Sequence, residues 1–241
     1  MSPAAPTADQ HADWIAVDWG TSNLRIWIMG KDGMVLRKHT DDRGMARLST
    51  EDYEPILLSY VSDWLVDRIA TPVVVCGMAG SRSGWMNAGY CDAPLDIRDI
   101  RKHTGKPESA DPRLDIRIVS GICQKEPADI MRGEETQLLG FADFDPNYVG
   151  PVCLPGTHSK WVDFDGGWVS NTRSVMTGEL FSLLSRKSLL RFSLPDGESA
   201  DQPVAAFLEG VEQGFDQPAS LTSQLFSIRA GDVLGGAGTA Q

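Results

Sequence analysis

The chain has 241 residues, 41% of them hydrophobic and 23% charged, enough for a sizeable core in one large domain or two modest ones without disulfide or metal staples. Its 33 Asp plus Glu against 22 Lys plus Arg leave a formal net charge of -11; this speaks against a general nucleic-acid or anionic-membrane binder, because phosphate attraction needs clustered cations. An anionic small substrate stays open, since it senses only the local field, and no apolar run reaches the roughly 20 residues that span a bilayer.

Residues 1–13 lack a basic n-region and an apolar h-region and read as a disordered leader on a cytoplasmic protein. Order is expected from Trp14. WIAVDWG reads as an apolar strand entering a Gly turn, LRIWIMG as a second strand, and MVLRKH as a third after the Lys31-Asp32-Gly33 turn. A helix is signalled from Ser49, with Asp52 closing a variant capping box and Tyr53, Ile56, Leu57, Tyr60, Val61, Trp64 and Leu65 at helical spacing. TPVVVCGMAGS reads as a buried strand ending in a Gly-containing loop. Residues 92–115 read as irregular, RIVSGI as a short strand, GEETQLLGFA as a short helix, and VGPVCL as a fresh strand. Helices are expected from Thr177 and over 203–215, both with apolar faces read as core; AGDVLGGAGTAQ reads as a small-residue tail without a clear element. Cys76, Cys91, Cys123 and Cys153 form no CxxC pair, and the four histidines make no zinc spacing with them, so reduced thiols are expected.

Two stretches echo each other. Gly20-Thr21-Ser22-Asn23 and Gly156-Thr157-His158-Ser159 each follow a short apolar strand and precede one containing Trp and branched residues. A hairpin with a Gly-Thr turn used twice points to two related domains, although Gly-turn hairpins also recur by chance. The common nucleotide signatures are absent: there is no GxxxxGK[ST], no kinase Gly-rich loop, no G-x-S-x-G and no HExxH.

Five candidate sites remain. In the first loop, Gly20 permits close backbone approach, Thr21, Ser22 and Asn23 add donors, and Asp18 suits a hydrated magnesium; a tight Asx-type hairpin turn explains the same residues. The second loop offers Gly156, Thr157, His158 and Ser159 with Lys160 as a cation. Glu134 and Glu135 open a helix, either as a solvated first turn favoured by the helix dipole or as an acceptor for the proton of an attacking hydroxyl. In Gly77-Met78-Ala79-Gly80-Ser81-Arg82, Arg82 suits carboxylate recognition, and nearby Trp85 suits stacking on a sugar face or ordinary packing. Thr177, Gly178 and Glu179 open a helix that could meet an anion or sugar hydroxyl, or form a plain N-cap.

IAVDWGTSNLRIW, VCGMAGSRSGW, IMRGEETQLLG, LPGTHSKWV and SVMTGELFSLL, in this order and spacing, resemble the 2-dehydro-3-deoxygalactonokinase family from about Trp14 to about Leu234. The resemblance implies an α/β fold of the sugar-kinase, actin and heat-shock ATPase superfamily: two ribonuclease-H-like domains facing a nucleotide cleft, over 14–146 and 147–241. The family pattern continues beyond residues 233–235, so the resemblance implies a second domain that is C-terminally incomplete. It further implies ATP- and magnesium-dependent phosphorylation of 2-dehydro-3-deoxy-D-galactonate at its 6-hydroxyl, in galactonate catabolism. By the same resemblance, Asp18 to Asn23 would form the first phosphate loop and Gly156 to Lys160 the second. Cys76 to Ser81 would be the substrate loop and Glu134 or Glu135 the base. The carboxylate of such a substrate would need Arg and backbone donors, with Arg25 and Arg82 as candidates. A non-catalytic sugar-acid binding or regulatory protein that has lost its adenosine site is the alternative, and a phosphohydrolase on the same scaffold a third reading. Nucleic acid and membrane are not expected partners, and monomer and homo-oligomer are both left open.

Overall fold

The computed structural model describes residues 11–194 and 204–235. Of the leader expected to be disordered over 1–13, residues 1–10 lie outside the described residues, as does the tail beyond 235. Ala12 and Asp13 correct that expectation, because Ala12 is buried in the core with N donating to Trp64 O at 2.9 Å and Asp13 N donates to Met29 O at 2.9 Å. In chain order the elements are β1 (Trp14–Trp19), β2 (Leu24–Met29), β3 (Val35–Asp41), α1 (Tyr53–Val61), β4 (Thr71–Gly77), β5 (Tyr90–Asp92), β6 (Leu95–Asp96), β7 (Thr104–Gly105), β8 (Leu114–Val119), β9 (Gly121–Gln124) and β10 (Asp129–Met131). There follow α2 (Glu134–Phe144), β11 (Val149–Leu154), β12 (Ser159–Asp165), β13 (Trp168–Val175), α3 (Gly178–Lys187), α4 (Val204–Asp216) and α5 (Leu221–Gly235). The fold is mixed α/β.

Described residues up to Pro155, together with Lys160–Val175, form one compact unit; Gly156–Ser159 and the described residues from Met176 onward form the other. The first unit is built on a six-stranded sheet of order β3-β2-β1-β4-β8-β7. Its centre is parallel, with β1 against β4 and β4 against β8, and antiparallel β2 and β3 extend one side. Alternation sets the buried face. Ile15, Val17 and Trp19 of β1, Leu24, Ile26 and Ile28 of β2, Val73 and Val75 of β4, and Leu114, Ile116 and Ile118 of β8 all point into one core. Tyr53, Ile56, Leu57 and Val61 of α1 close over it at helical spacing. Each such aliphatic side chain contributes about 1.5–3 kcal/mol by leaving water. Ser49 and Asp52 form the expected reciprocal capping box at the entry to this helical segment.

A second core of the same unit gathers Leu138 and Ala142 of α2, Val162 and Phe164 of β12, Val169 of β13, and Ile97, Ile100 and Ile122. It lies with two smaller sheets, β10-β9-β5 and β11-β12-β13-β6. Ile97 and Ile100 correct the expectation of irregular structure over 92–115. They lie in a 3-10 segment, Ile97–Lys102, whose first turn is capped by the Asp96 carboxylate accepting from Arg98 N at 3.0 Å. Side chains three apart share a face in that geometry, and two residues are too few to show a period in sequence.

At the end of β3, Arg43 donates through Nε and Nη2 to both carboxylate oxygens of Asp41, at 2.9 and 2.8 Å, and Tyr60 OH also bonds this carboxylate. The Arg43 hydrogen bonds hold the Asp41 carboxyl well below its usual range. Arg43 O in turn accepts from the Trp19 indole at 3.0 Å, fixing the turn beside the first Gly-Thr loop.

The second unit contains α3, α4 and α5. Both apolar faces expected to be core are exposed: Phe181 is 73% accessible, Phe207 67% and Phe215 84%. An amphipathic stripe shows that a face favours apolar cover; it does not show that the same stretch of chain supplies it. The small-residue tail also needs correcting, because residues 230–235 complete α5. A helix-interior Gly such as Gly231 costs only about 1 kcal/mol, which the rest of a long helix offsets. All four cysteines are free thiols, Cys153 exposed and the other three partly buried. Among the described residues, no helix is long and apolar enough to cross a membrane.

Candidate active site

Because β1 and β4 run parallel, their carboxyl ends coincide, pairing Asp18 with Cys76 and Trp19 with Gly77. Ligands of open parallel sheets sit beyond such ends. The 20–23 loop leaves β1 here, closed by Gly20 N donating to Asn23 O at 2.8 Å and held from behind by Met45 N to Gly20 O and Ala46 N to Thr21 O, both 3.0 Å. Thr21, Ser22 and Asn23 are exposed. Gly44 makes that support fit: a Cβ there would lie 2.3 Å from the Ser22 carbonyl carbon. Sequence reading missed Gly44, whose signal was one more small residue in a turn.

Asp18 pairs with Arg25 directly across the β1–β2 ladder, Nη1 to Oδ2 at 2.8 Å. Arg25 is thus engaged by a carboxylate of the chain itself. Asp18 remains about one-third accessible, so it offers a hard oxygen donor at a solvent-facing edge. That suits magnesium, which keeps most of its waters and needs only one or two carboxylates beside substrate phosphates. Among the described residues, no group of three metal-ligating side chains occurs.

Gly77 ends β4 with φ 84° and ψ -151°, a conformation essentially restricted to glycine. A Cβ at Gly77 would lie 2.7 Å from Trp19 O and 3.3 Å from Asp18 Oδ1. Gly133, with φ 106°, precedes α2, and a Cβ there would sit 3.4 Å from Gly77 Cα. Two glycines therefore bring the start of α2 onto the carboxyl end of the sheet. This contact decides the fate of the adjacent carboxylates. Glu134 is partly exposed and accepts from Arg132 N at 2.9 Å. Glu135 is fully buried, accepting from Gly133 N at 2.6 Å and from Thr136 Oγ1 at 3.1 Å. A solvated first turn is therefore the wrong description of Glu135. Burial pushes its carboxyl up to about 7, with the hydrogen bonds from Gly133 and Thr136 opposing the rise. Burial, with Asp18 and Glu135 close by, likewise pushes the Cys76 thiol up to about 12, leaving it protonated and unreactive at neutral pH.

The 77–85 loop is tightly wound. Ala79, Gly80 and Ser81 are buried, Arg82 is exposed, and Ser81 N and Ala88 N bond Met78 O and Gly80 O, both at 3.0 Å. Met78 is partly exposed at the head of this turn. Trp85 is only 6% accessible, stacked on Tyr53 at 5.6 Å and edge-on to Trp19 at 6.1 Å. Its ring belongs to the core rather than to an open sugar platform. Trp85→Ala should cost about 3–5 kcal/mol of stability, read as a lower urea midpoint, and Trp85→Phe should recover most of it.

In the second unit, α3 starts against the 156–159 loop. Glu179 N donates to Thr157 O at 2.9 Å, and a Cβ on Gly178 would lie 2.7 Å from Gly156 O. His158 Nε2 meets Glu179 Oε2 at 2.6 Å. Thr177 makes no side-chain cap; its hydroxyl instead meets Ser159 Oγ at 2.6 Å. Thr157, His158, Ser159, Thr177, Gly178 and Glu179 are thus gathered together. Lys160 is not with them. It belongs to the first unit, 7% accessible, with Nζ donating to Ile130 O at 2.9 Å and Ser174 Oγ at 2.6 Å.

The family model described as 2-keto-3-deoxy-galactonokinase matches residues 18–241. The chain belongs to that family. Among relatives, it is 39% identical over 230 residues to a Rhizobium meliloti (strain 1021) protein named "Probable 2-dehydro-3-deoxygalactonokinase DgoK1", covering 94% of this chain and 74% of that one. The 2-dehydro-3-deoxygalactonokinase of Escherichia coli (strain K12) is 38% identical over 227 residues, covering 93% and 73%. A crystal structure of a candidate 2-dehydro-3-deoxygalactonokinase from Sinorhizobium meliloti superposes with a TM-score of 0.84 at 39% identity, over 94% of this chain and 74% of that one. For a member of the 2-keto-3-deoxy-galactonokinase family, a buried carboxyl titrating near 7 at the carboxyl end of the sheet is the chemically most informative feature. A general base is most effective when it accepts a proton near the operating pH.

Proposed function

We propose that the chain is an ATP-dependent kinase that phosphorylates the 6-hydroxyl of 2-dehydro-3-deoxy-D-galactonate, in the cytoplasm and as a step of galactonate breakdown. The observation that carries this reading is Glu135: fully buried, hydrogen-bonded to Gly133 and Thr136, and titrating at about 7 in a chain of a kinase family. In its ionised form Glu135 takes the proton of the primary hydroxyl as that oxygen attacks the γ-phosphorus. The new O–P bond forms while the bond from the γ-phosphorus to the β,γ-bridging oxygen breaks, and ADP leaves. Glu134, outside the buried position, has no part in that transfer.

The exposed Thr21, Ser22 and Asn23, on a backbone that Gly20 keeps open, are assigned to phosphate oxygens, and the 156–159 loop to the same kind of contact. Asp18 would hold magnesium, which supplies charge neutralisation on the phosphates. Residues 77–81 are assigned to the sugar acid, with Thr177, Gly178 and Glu179 as further candidates for a hydroxyl. The order β3-β2-β1-β4-β8 with its parallel centre supports a ribonuclease-H-like first domain over 14–146, and the reading takes 147–241 as a second of the same type. A non-catalytic binder is not favoured, because both curated relatives are named as kinases. Incubation with ATP, magnesium and the sugar acid tests the reading: phosphorylated sugar acid and ADP in equal amounts are expected. Free phosphate without phosphorylated sugar would point to a hydrolase, and binding of the sugar acid without turnover to a binding protein.

A further inference from the structure

Arg132 stands immediately before the glycine that seats α2, and its guanidinium is incompletely used. Its carbon lies 4.4 Å from the centroid of the Tyr90 ring, and Nη2 donates to Gly89 O at 2.7 Å. Nε and Nη1 are shielded from solvent and have no hydrogen-bond partner. Those two nitrogens carry three of the five guanidinium N–H groups, counting one on Nε and two on Nη1. Leaving such donors buried and unpaired is costly, so a state in which an acceptor reaches them is favoured.

The place of these donors matters. Nη1 lies over Gly80, where a Cβ would approach it to 2.7 Å, so only a glycine allows the cation to rest on the loop. The next residue, Ser81, is 8% accessible, and its hydroxyl is also buried without a partner. Arg132 is joined through Gly133 to the chain that carries Glu135, and Gly133 abuts Gly77 at the start of the same loop. Arg25 is paired to Asp18 and Arg82 is exposed. Arg132 is the arginine with unpaired, desolvated N–H groups at this loop.

We infer that Arg132, with the Ser81 hydroxyl, forms the subsite for the carboxylate of the sugar acid, and so sets the preference of the kinase for acids over neutral sugars. The inference rests on the proposed kinase activity. A planar carboxylate matches a guanidinium better than a spherical charge would, and a partner of opposite sign recovers what the unpaired donors lose. The chain then holds the two ends of one substrate: the acid end at Arg132 and Ser81, and the reacting hydroxyl at Glu135.

The test compares wild type, Arg132→Gln, Arg132→Lys and Ser81→Ala on the 2-keto-3-deoxy sugar acid and on its primary amide. Wild type is expected to favour the acid. Arg132→Gln should lower kcat/KM for the acid about 100-fold, chiefly through KM, and remove the acid preference, with KM for ATP unchanged. Ser81→Ala should lose about 10-fold on the acid, and Arg132→Lys should restore part of the preference. Equal losses on acid and amide would overturn the subsite, as would a rise in KM for ATP alone, which would give Arg132 to a phosphate. If Arg132→Gln fails to fold, Ser81→Ala decides by the same acid-to-amide ratio. If the wild type does not phosphorylate the acid, the kinase reading fails on its own. Calorimetry with the same acid then decides the subsite: binding lost in Arg132→Gln supports it, whereas binding unaffected by that change, or none to wild type, overturns it.

Discussion

Glu135→Gln should lower kcat by about 10²–10⁴-fold, the usual contribution of a positioned general base, and at the same time make the folded chain more stable at alkaline pH. The two effects have one cause. Burial raises the Glu135 carboxyl from 4.5 to about 7. Between those values the folded chain keeps a proton that the unfolded chain releases, so stability falls as pH rises from about 4.5 and levels off above about 7. The loss amounts to about 3 kcal/mol at one unit per 1.36 kcal/mol. Glutamine never ionises. Its amide oxygen can accept from Gly133 N, and its amide nitrogen can meet the Thr136 hydroxyl, so the local bonds are retained. Urea midpoints of variant and wild type should thus agree near pH 4 and separate by pH 8, with the variant higher. In the wild type, kcat/KM should rise through about pH 7 as the carboxyl loses its proton, and the residual activity of Glu135→Gln should lack that limb. Glu134→Gln is the control. It weakens a first-turn charge by about 0.3–1 kcal/mol and leaves the pH limb in place. If Glu134→Gln abolishes the limb and Glu135→Gln does not, the roles are reversed.

That contrast between adjacent carboxylates marks how far sequence alone reaches. Residues 134–144 carry a helical pattern that any reading of period 3.6 finds, and the two Glu were visible as chemistry-bearing neighbours. Which of them is buried depends on Gly133 at φ 106° meeting Gly77, a contact between residues 56 positions apart (133 against 77). Local pattern does not encode it. The central strands were legible for the opposite reason: alternation of Ile15, Val17 and Trp19, and the continuous apolar run at 73–75, depend only on neighbours. Trp85 shows the ambiguity of large aromatics, because a ring after a Gly-rich loop serves a sugar or a core equally well until Tyr53 is seen stacked on it. Lys160 was grouped with a phosphate loop by adjacency, yet a strand turns alternate side chains to opposite faces, and this one faces Ile130 O and Ser174. The apolar faces of α3 and α4 were read correctly as stripes and wrongly as buried, since amphipathicity specifies a preference and not its fulfilment. Arg132 left no signal beyond being an arginine. Its unpaired nitrogens are visible only once Gly80 and Tyr90 are in place around them.

Gly77→Ala should combine backbone strain with a steric clash at the carboxyl ends of β1 and β4. At φ 84° and ψ -151°, an alanine costs on the order of 1–3 kcal/mol in backbone strain alone. The new methyl would also stand 2.7 Å from Trp19 O, a backbone atom at the carboxyl end of the β1–β4 pairing that cannot turn aside. Relief requires the ends of β1 and β4 to part, and both ends carry proposed site residues. Asp18 moves with Trp19, and the contact with Gly133 that seats α2 moves with Gly77, so the Asp18 and Glu135 carboxylates, the proposed metal holder and base, shift relative to each other. A displacement of about 1 Å at reacting groups costs about 10²-fold in rate, so kcat should fall by at least that factor even where the variant remains folded. Gly33→Ala supplies the comparison. Gly33 also has positive φ, at 77°, but a Cβ there meets nothing within 4 Å, and the turn lies far along β2 from the 20–23 loop. It should lose stability through strain alone and keep wild-type kcat. Urea midpoints and kcat measured on both variants separate the two contributions: a shared drop in midpoint reports the dihedral, and a fall in kcat confined to Gly77→Ala reports the clash at the strand ends. Equal kcat in the two variants would mean that the carboxyl ends of β1 and β4 do not position the reacting groups.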